Sequence, residues 1–163
     1  MLIRKAEHAD LPALLQIYND AIADGTVTLD IHPRTLEDRQ AWFDAHNAGN
    51  HPLYVAEEDG RVIGYTSLSG YRPKEAYAAT VEISIYVDKD ARQQGVATKL
   101  YRFILDLARA DDSIHNVISV ITKGNEASVR LHEKFGFVYC GEIPDAAEKC
   151  GKKVTILTYC LLV

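Results

Sequence analysis

The sequence predicts a single α+β domain over residues 1–163, in which a mixed central β-sheet is flanked by helices. Three observations lead to this fold class. Several short segments alternate between apolar and polar residues, which is typical of half-buried strands. Longer segments between them repeat apolar residues at helical spacing. No linker, repeat or low-complexity stretch divides the chain, and 163 residues are enough to bury a sizeable core.

The N-terminal half is predicted to contain three strands and two helices. Asp10 is expected to cap the first helix, because an aspartate accepts hydrogen bonds from first-turn amides and Pro12 follows it. The second helix is expected to be amphipathic and carries Leu36, Trp42 and Phe43. The elements are, in order, a strand at 2–7, the first helix, a loop at 25–33, a helix at 35–46, and a hairpin with strands at 53–56 and 62–68.

The C-terminal half is predicted to contain four strands and two helices, which gives the element order βααβββαβαββ. The strand at 80–87 alternates clearly, with Glu82, Ser84 and Tyr86 on the face opposite to Val81, Ile83, Ile85 and Val87. The next helix carries its apolar stripe at Val96, Leu100, Phe103, Ile104 and Leu107. The remaining elements are a strand at 116–122, a helix from Asn125 to a left-handed C-cap at Gly136, and strands at 137–141 and 154–162.

Composition and charge exclude several classes of protein. The net charge is −5 without a block of like charges, which argues against nucleic acid as the main partner. The longest apolar runs are far too short to span a membrane, and residues 1–5 lack the apolar segment of a signal peptide. Cys140, Cys150 and Cys160 lack metal-type spacing. We therefore expect a cytoplasmic protein with reduced thiols and no metal site.

A phosphate cradle is predicted where the strand at 80–87 leads into the next helix. Residues 92–97 read R-Q-Q-G-V-A, and free backbone N–H groups converge with the positive end of the dipole at such a helix start. Gly95 and Ala97 lack bulky side chains, so a pyrophosphate can approach the main chain closely. Taken alone, the six residues are equally compatible with an ordinary strand–turn–helix joint, although their spacing excludes the dinucleotide fingerprint and the NTPase loop.

The R-x-x-G-x-A spacing resembles the acyl-CoA pyrophosphate loop of the GNAT acetyltransferases. Residues 125–137 resemble a second block of that family, in which an N-x-x-[SA] helix start leads to a G-F strand. The order and separation of the blocks agree with a GNAT N-acetyltransferase, and the element order agrees over essentially all 163 residues. The segments at 17–22, 76–87 and 128–137 are similar to the phosphinothricin acetyltransferase branch, whose relatives act on methionine sulfoximine.

The resemblance implies acetyl-CoA as the co-substrate and no metal. The pantetheine arm would lie where the strand at 81–87 splays from the strand at 116–122. It would contact the main chain of Ile85, Tyr86 and Val87, with an N–H near Val87 polarising the thioester carbonyl. The remaining implied cofactor contacts are Gln93, Gln94, Gly95, Val96, Ala97 and Thr98 around the pyrophosphate, and Asn125, which can also cap its helix.

Glu82 and His132 are the predicted catalytic residues. On alternation alone, Glu82 is more simply a solvent-facing side chain. The resemblance places it at the position of the acid proposed as general base, which takes a proton from the incoming amine. His132 shares a helix face with Asn125 and Ser128, and the resemblance places it where a histidine assists proton transfer. A half-buried structural histidine is an equally good interpretation.

The predicted substrate-binding residues are Arg72, Lys74 and Tyr77. Taken alone, their loop is a solvated basic segment of an acidic protein. In the related branch, basic residues and a tyrosine of this loop contact anionic groups of the substrate. Pro73 and Glu75 depart from that pattern, and an aromatic residue often found near Gly151 is missing. These departures concern the substrate and leave the acetyl-CoA assignment unchanged.

The expected function is transfer of an acetyl group from acetyl-CoA to the amine of a small amino-acid-like substrate, without a covalent acyl-enzyme. Two alternatives stay open, which are acetylation of protein N-termini or lysines and a non-catalytic acyl-CoA-binding sensor. The presence of both Glu82 and His132 argues against the sensor. The resemblance also implies a homodimer, whereas the identity of the acceptor is left open.

Overall fold

Seven strands and four helices form the described part of the chain, which in this computed structural model comprises residues 1–25 and 27–163. Thr26, within the predicted loop at 25–33, lies outside the described residues. The strands are β1 (Leu2–Lys5), β2 (Leu53–Glu58), β3 (Arg61–Gly70), β4 (Thr80–Val87), β5 (Asn116–Thr122), β6 (Val138–Lys149) and β7 (Lys152–Leu162). The helices are α1 (Leu11–Asp24), α2 (Leu36–Asp44), α3 (Val96–Ala110) and α4 (Glu126–Lys134). Their order along the chain confirms the predicted βααβββαβαββ arrangement.

The strands form one mixed sheet with the order β1-β2-β3-β4-β5-β7-β6. Neighbouring strands are antiparallel except for β4 and β5, which are parallel. The parallel register extends only from Thr80 opposite Asn116 to Glu82 opposite Ile118. Beyond Glu82 the two strands diverge, so the sheet opens in its middle.

The helices cover the two faces of the sheet. Leu14 and Ile17 of α1 and Phe43 of α2 pack against Tyr65 of β3 in one buried cluster. Leu68, Val81 and Ile83 belong to a second cluster that contains Tyr101, Ile104 and Leu105 of α3. This division confirms the predicted alternation in β4, and it leaves Glu82, Ser84 and Tyr86 on the same face as Tyr65. Among the described residues, no helix is long and apolar enough to span a membrane.

The structure corrects two predictions in the helices. Asp10 makes no side-chain cap on α1, because its carboxylate accepts hydrogen bonds from Arg4 at 2.8 Å and from the Glu7 amide at 2.8 Å. The prediction for α2 is also wrong at Leu36, which is 52% exposed, and Arg39 of the same helix is only 5% exposed. In α3, the side chains of Phe103 and Leu107 are only half-buried, and Tyr101, Leu105 and Ala108 are buried with the rest of the predicted stripe.

Both strands of the last hairpin are longer than predicted. Pro144 and Asp145 have sequence features of a strand end, yet β6 continues to Lys149. The pairing with β7 shifts register after Tyr139 and again after Ile143. These bulges accommodate the left-handed backbone of Gly141 and Asp145, so the hairpin continues through residues that would terminate a regular strand.

Candidate active site

A cavity of about 750 Å³ occupies the opening between β4 and β5, and we refer to it as the central cavity. Its walls come from residues 82–87 of β4, from β5, α3 and α4, and from loop residues 27–29. The cavity exists because the parallel pairing stops at Glu82. From that residue onward, no strand of the described residues pairs with the edge of β4 that faces β5, so its main-chain groups are available to a ligand.

The predicted cradle residues form a tight turn before α3. Gln93 and Gly95 both have left-handed φ angles, of 62° and 79°. Gly95 is the N-cap of α3, and among the described residues no side-chain cap is made to the first-turn amides. A Cβ added at Gly95 would meet no atom within 4 Å, so the space over this helix start is open. Uncapped amides beside open space suit an anionic group such as a pyrophosphate.

Other cradle residues have more varied surroundings. The Ala97 side chain lines the central cavity, whereas the Gln94 side chain donates to the Asp90 carbonyl at 3.0 Å. Arg92 also lines the cavity and pairs with Asp24 at 2.7 Å. In the sequence-based prediction, Arg92 is only the first residue of the motif and is not among the cofactor contacts. The structure therefore adds a cation to the residues expected at this wall of the cavity.

Glu82 lies on the cavity wall at the last parallel pair of the sheet. Burial raises the pKa of its carboxyl group above the usual value. No side-chain hydrogen bond or ion pair to another described residue satisfies this carboxyl group. A carboxylate that is poorly solvated and unpaired is a stronger base than one on the surface. The position therefore has the chemical properties of a general base.

His132 projects into the same cavity from α4 and is only 6% exposed. Its Nδ1 lies 2.7 Å from the Ser128 carbonyl oxygen, which only an N–H can approach as a donor. The proton is therefore on Nδ1, and Nε2 carries the lone pair, buried without a partner among the described residues. Burial lowers the pKa of this imidazole. The predicted shared face of Asn125, Ser128 and His132 is also present, since all three residues line the central cavity.

Tyr101 of α3 is a cavity residue that was not predicted from the sequence. It is 1% exposed, its hydroxyl has no partner among the described residues, and its ring stacks on Phe135 at 4.8 Å. Burial raises the pKa of the hydroxyl, so the group keeps its proton. Its spacing could have identified Tyr101 from the sequence. Tyr101 is one helical turn after Ala97, a predicted cofactor contact, and therefore faces the same side of α3.

Lys149 is a second residue that was not predicted. It is 5% exposed, and its Nζ donates to the Thr28 carbonyl at 2.6 Å and to the Ile22 carbonyl at 3.3 Å. These bonds connect the end of β6 to the loop that forms one cavity wall. Lys149 therefore fixes residues 27–29 against the opening.

The predicted substrate-binding residues lie outside the central cavity. Arg72 and Lys74 are exposed, in the loop between β3 and β4. The Arg72 guanidinium lies 5.0 Å from the Tyr71 ring centroid and 6.0 Å from that of Tyr77. Within a single chain, this loop is therefore not assembled with Glu82 into one pocket.

The sequence matches the acetyltransferase (GNAT) family over residues 13–137. The chain belongs to this family, and it is an acetyl-CoA-dependent N-acetyltransferase. It is similar to an L-methionine sulfoximine/L-methionine sulfone acetyltransferase of Pseudomonas paraeruginosa, with 40% identity over 151 residues. That alignment covers 92% of this chain and 87% of the relative.

Two solved structures have closely similar folds. One is described as a ribosomal-protein-alanine N-acetyltransferase from Brucella melitensis, with a TM-score of 0.96, 36% identity and 100% of both chains covered. The other is a GNAT superfamily phosphinothricin acetyltransferase from Sinorhizobium meliloti in complex with acetyl-CoA. It has a TM-score of 0.94 and 27% identity, and the alignment covers 99% of this chain and 88% of that one. The predicted family, fold and co-substrate are thereby confirmed.

Proposed function

We propose that this enzyme acetylates the α-amine of a small amino-acid-like acceptor of the methionine sulfoximine or phosphinothricin type. The observation that carries the proposal is the half-buried Glu82 carboxyl group, unpaired among the described residues, on the wall of the opened sheet. The names of the Pseudomonas and Sinorhizobium relatives support this class of acceptor. The alternative acceptor, the amine of a peptide or protein, is an outcome of the test below.

Different residues of the chain are proposed to bind the different parts of acetyl-CoA. The predicted pyrophosphate site is the turn at 93–98, where the amides after Gly95 are uncapped. Ile85, Tyr86 and Val87 offer the free edge of β4 to the pantetheine arm, and Asn125 borders the same cavity. Acetyl-CoA, when bound, supplies the acetyl group as a thioester. These contacts would hold the thioester in the same cavity as Glu82, and holding both reactants in the opening would supply much of the rate.

Glu82 is proposed to remove the proton from the ammonium group, directly or through one water molecule. The freed amine attacks the thioester carbonyl, a C–N bond forms, the C–S bond breaks, and the sulfur takes up a proton. Main-chain N–H groups near Val87 stabilise the oxyanion that forms in between. His132 presents an unprotonated Nε2, which can accept a hydrogen bond from the acceptor or from water. The Tyr101 hydroxyl is a protonated donor on the same wall.

A panel of acceptors tests the function through release of the CoA thiol. We expect methionine sulfoximine, methionine sulfone or phosphinothricin to be acetylated with a kcat/KM at least roughly 10-fold above that of polyamines and peptides, the scale of one charge-assisted contact. A peptide that begins with alanine is included because of the Brucella structure's description. Faster turnover of that peptide would overturn the small-acceptor proposal, and so would the absence of thiol release with all three amino-acid-like acceptors.

Reversing the charge of the β3–β4 loop tests the predicted substrate-binding residues. We expect Arg72→Glu to raise KM for an anionic acceptor roughly 10-fold, because a cation that bonds a carboxylate or phosphinate is replaced by a repelling charge. The dissociation constant for acetyl-CoA should not change. Arg102→Glu is the matched control, since Arg102 is exposed on α3 and outside the cavity lining. Equal KM values for the two variants would remove Arg72 from the site.

We also propose that the enzyme is a cytoplasmic homodimer. The dimer rests on the family resemblance and on the last hairpin, where Val138, Tyr139, Ile143 and Leu162 are each at least 50% exposed. Several apolar side chains exposed together on one hairpin are typical of a protein–protein interaction site. The cytoplasmic location rests on the free cysteines.

A further inference from the structure

A second cavity, of about 380 Å³, lies between α1, α2 and the β3–β4 face, and we refer to it as the Arg39 cavity. It adjoins the central cavity, because Tyr18, Ser84 and Tyr86 line both. Ser84 follows Glu82 by two residues on the same face of β4, which is roughly 6.7 Å along a strand. The Arg39 cavity is therefore close to the proposed base.

Arg39 is a buried cation that lacks a counter-ion among the described residues. Its side chain is 5% exposed, and its guanidinium lies 3.5 Å from the Trp42 ring centroid and 4.5 Å from that of Tyr18. One Nη donates to the Tyr65 hydroxyl at 3.1 Å, whereas Nε is buried without a partner in the described part of the chain. Buried charges in proteins are normally paired, so this guanidinium is suited to an anion that arrives from outside.

A second unsatisfied donor belongs to the same cavity. Ser67 is 1% exposed, and its hydroxyl has no partner among the described residues. It lies two residues from Tyr65 on β3 and directly opposite Ser84 on β4. A stacking role for Arg39 explains the aromatic contacts, but it leaves both the Arg39 Nε–H and the Ser67 hydroxyl unsatisfied. Two unsatisfied donors in one cavity are complementary to a carboxylate, which accepts hydrogen bonds at both oxygens.

Two acids line the cavity, and both are engaged elsewhere. Asp30 accepts from the Tyr18 hydroxyl at 2.6 Å and pairs with Arg34 at 2.7 Å. The Asp38 carboxylate accepts from the amide of Thr35, in the capping box at the start of α2. Neither acid is therefore a counter-ion for Arg39.

We propose that the Arg39 cavity binds the α-carboxylate of the acceptor, with Arg39 and Ser67 as specificity-determining residues. This inference rests on the proposed function. In an α-amino acid the carboxylate and the amine are both attached to the α-carbon, so a carboxylate held beside Ser84 directs the amine toward Glu82.

The kinetic test compares methionine sulfone with its carboxamide, in which the carboxylate is neutral. Wild type should favour the acid, and Arg39→Gln should raise KM for the acid roughly 10-fold or more while the amide changes little. The acid/amide ratio should therefore fall toward one, with partial recovery in Arg39→Lys. A loss that is equal for acid and amide indicates a structural role and overturns the proposal. Arg102→Gln is the matched control, and acetyl-CoA affinity reports on correct folding.

A binding test on the wild-type enzyme does not depend on whether the variants fold. The Nε–H signal of Arg39 is followed by nitrogen-15 NMR while the desamino analogue of methionine sulfone, a carboxylate without an amine, is added. A saturable shift of this signal is expected, and an unchanged signal overturns the proposal. If amino acids prove not to be acetylated at all, the proposed function fails, and this signal alone decides whether the cavity binds a carboxylate.

Discussion

Replacing Glu82 by Gln is expected to lower kcat roughly 10²-fold or more near neutral pH, the usual scale for loss of a general base. The substitution keeps the shape of the side chain, but an amide cannot accept the proton of the ammonium group. The carboxyl group makes no ion pair or side-chain hydrogen bond among the described residues, so its removal breaks no contact that holds the fold. Steady-state kinetics with a saturating acceptor measure the loss of kcat. Calorimetry measures the affinity for acetyl-CoA separately.

The pH dependence of kcat/KM gives this prediction a second readout. Burial raises the pKa of the Glu82 carboxyl group above its usual value. Only the ionised form is a base, so activity should be full above this raised pKa and should fall as the pH decreases through it. Glu82→Gln should remove this acidic limb from the profile. A wild-type limb at the ordinary pKa of a surface glutamate would contradict the assigned environment.

Two comparisons isolate the role of Glu82. Glu37→Gln is the matched control, because Glu37 is exposed on α2 and should leave turnover unchanged. His132→Ala should reduce turnover less than Glu82→Gln if His132 only orients the acceptor or a water molecule. Near-normal turnover of a folded Glu82→Gln enzyme would remove Glu82 from the mechanism.

The features that the sequence predicted well depend on short-range physics. Alternation in β4 follows from strand geometry, so the residue pattern alone assigns the side of the sheet that carries Glu82. The helix start at Gly95, whose N-cap has no side chain, is also local, whereas the pyrophosphate binding assigned to it stays a prediction. The opening of the sheet is not local, and it entered the prediction only through the family resemblance.

The features that the sequence missed depend on contacts between distant segments. Arg39 is buried because its guanidinium stacks on Trp42 and on Tyr18 of another helix, whereas helical periodicity assigns an arginine to the surface. Arg72 and Lys74 are close to Glu82 along the chain, yet the structure places them in an exposed loop outside the central cavity. Residues that are close in sequence to Glu82 are thus not necessarily close to it in space. The Arg72→Glu experiment tests whether Arg72 binds the substrate.

The cofactor site has an equally direct test, in which Gly95→Glu is expected to weaken acetyl-CoA binding roughly 10²-fold or more. The new side chain would extend into the open space above the start of α3, where a Cβ meets no atom within 4 Å. It would bring a negative charge to the amides that are predicted to hold the pyrophosphate, and opposing like charges cost several kcal/mol. Calorimetric titration with acetyl-CoA measures the change.

A matched control is needed because Gly95 has a φ of +79°, a conformation that strains any residue with a side chain. Gly60→Glu introduces the same side chain at a φ of +75°, also with no atom within 4 Å, in the turn between β2 and β3. The two variants should therefore lose similar folding stability in thermal unfolding. Only Gly95→Glu should lose acetyl-CoA affinity, because only that glutamate lies at the uncapped start of α3. Equal affinities in the two folded variants would move the pyrophosphate away from residues 93–98, whatever the acceptor proves to be.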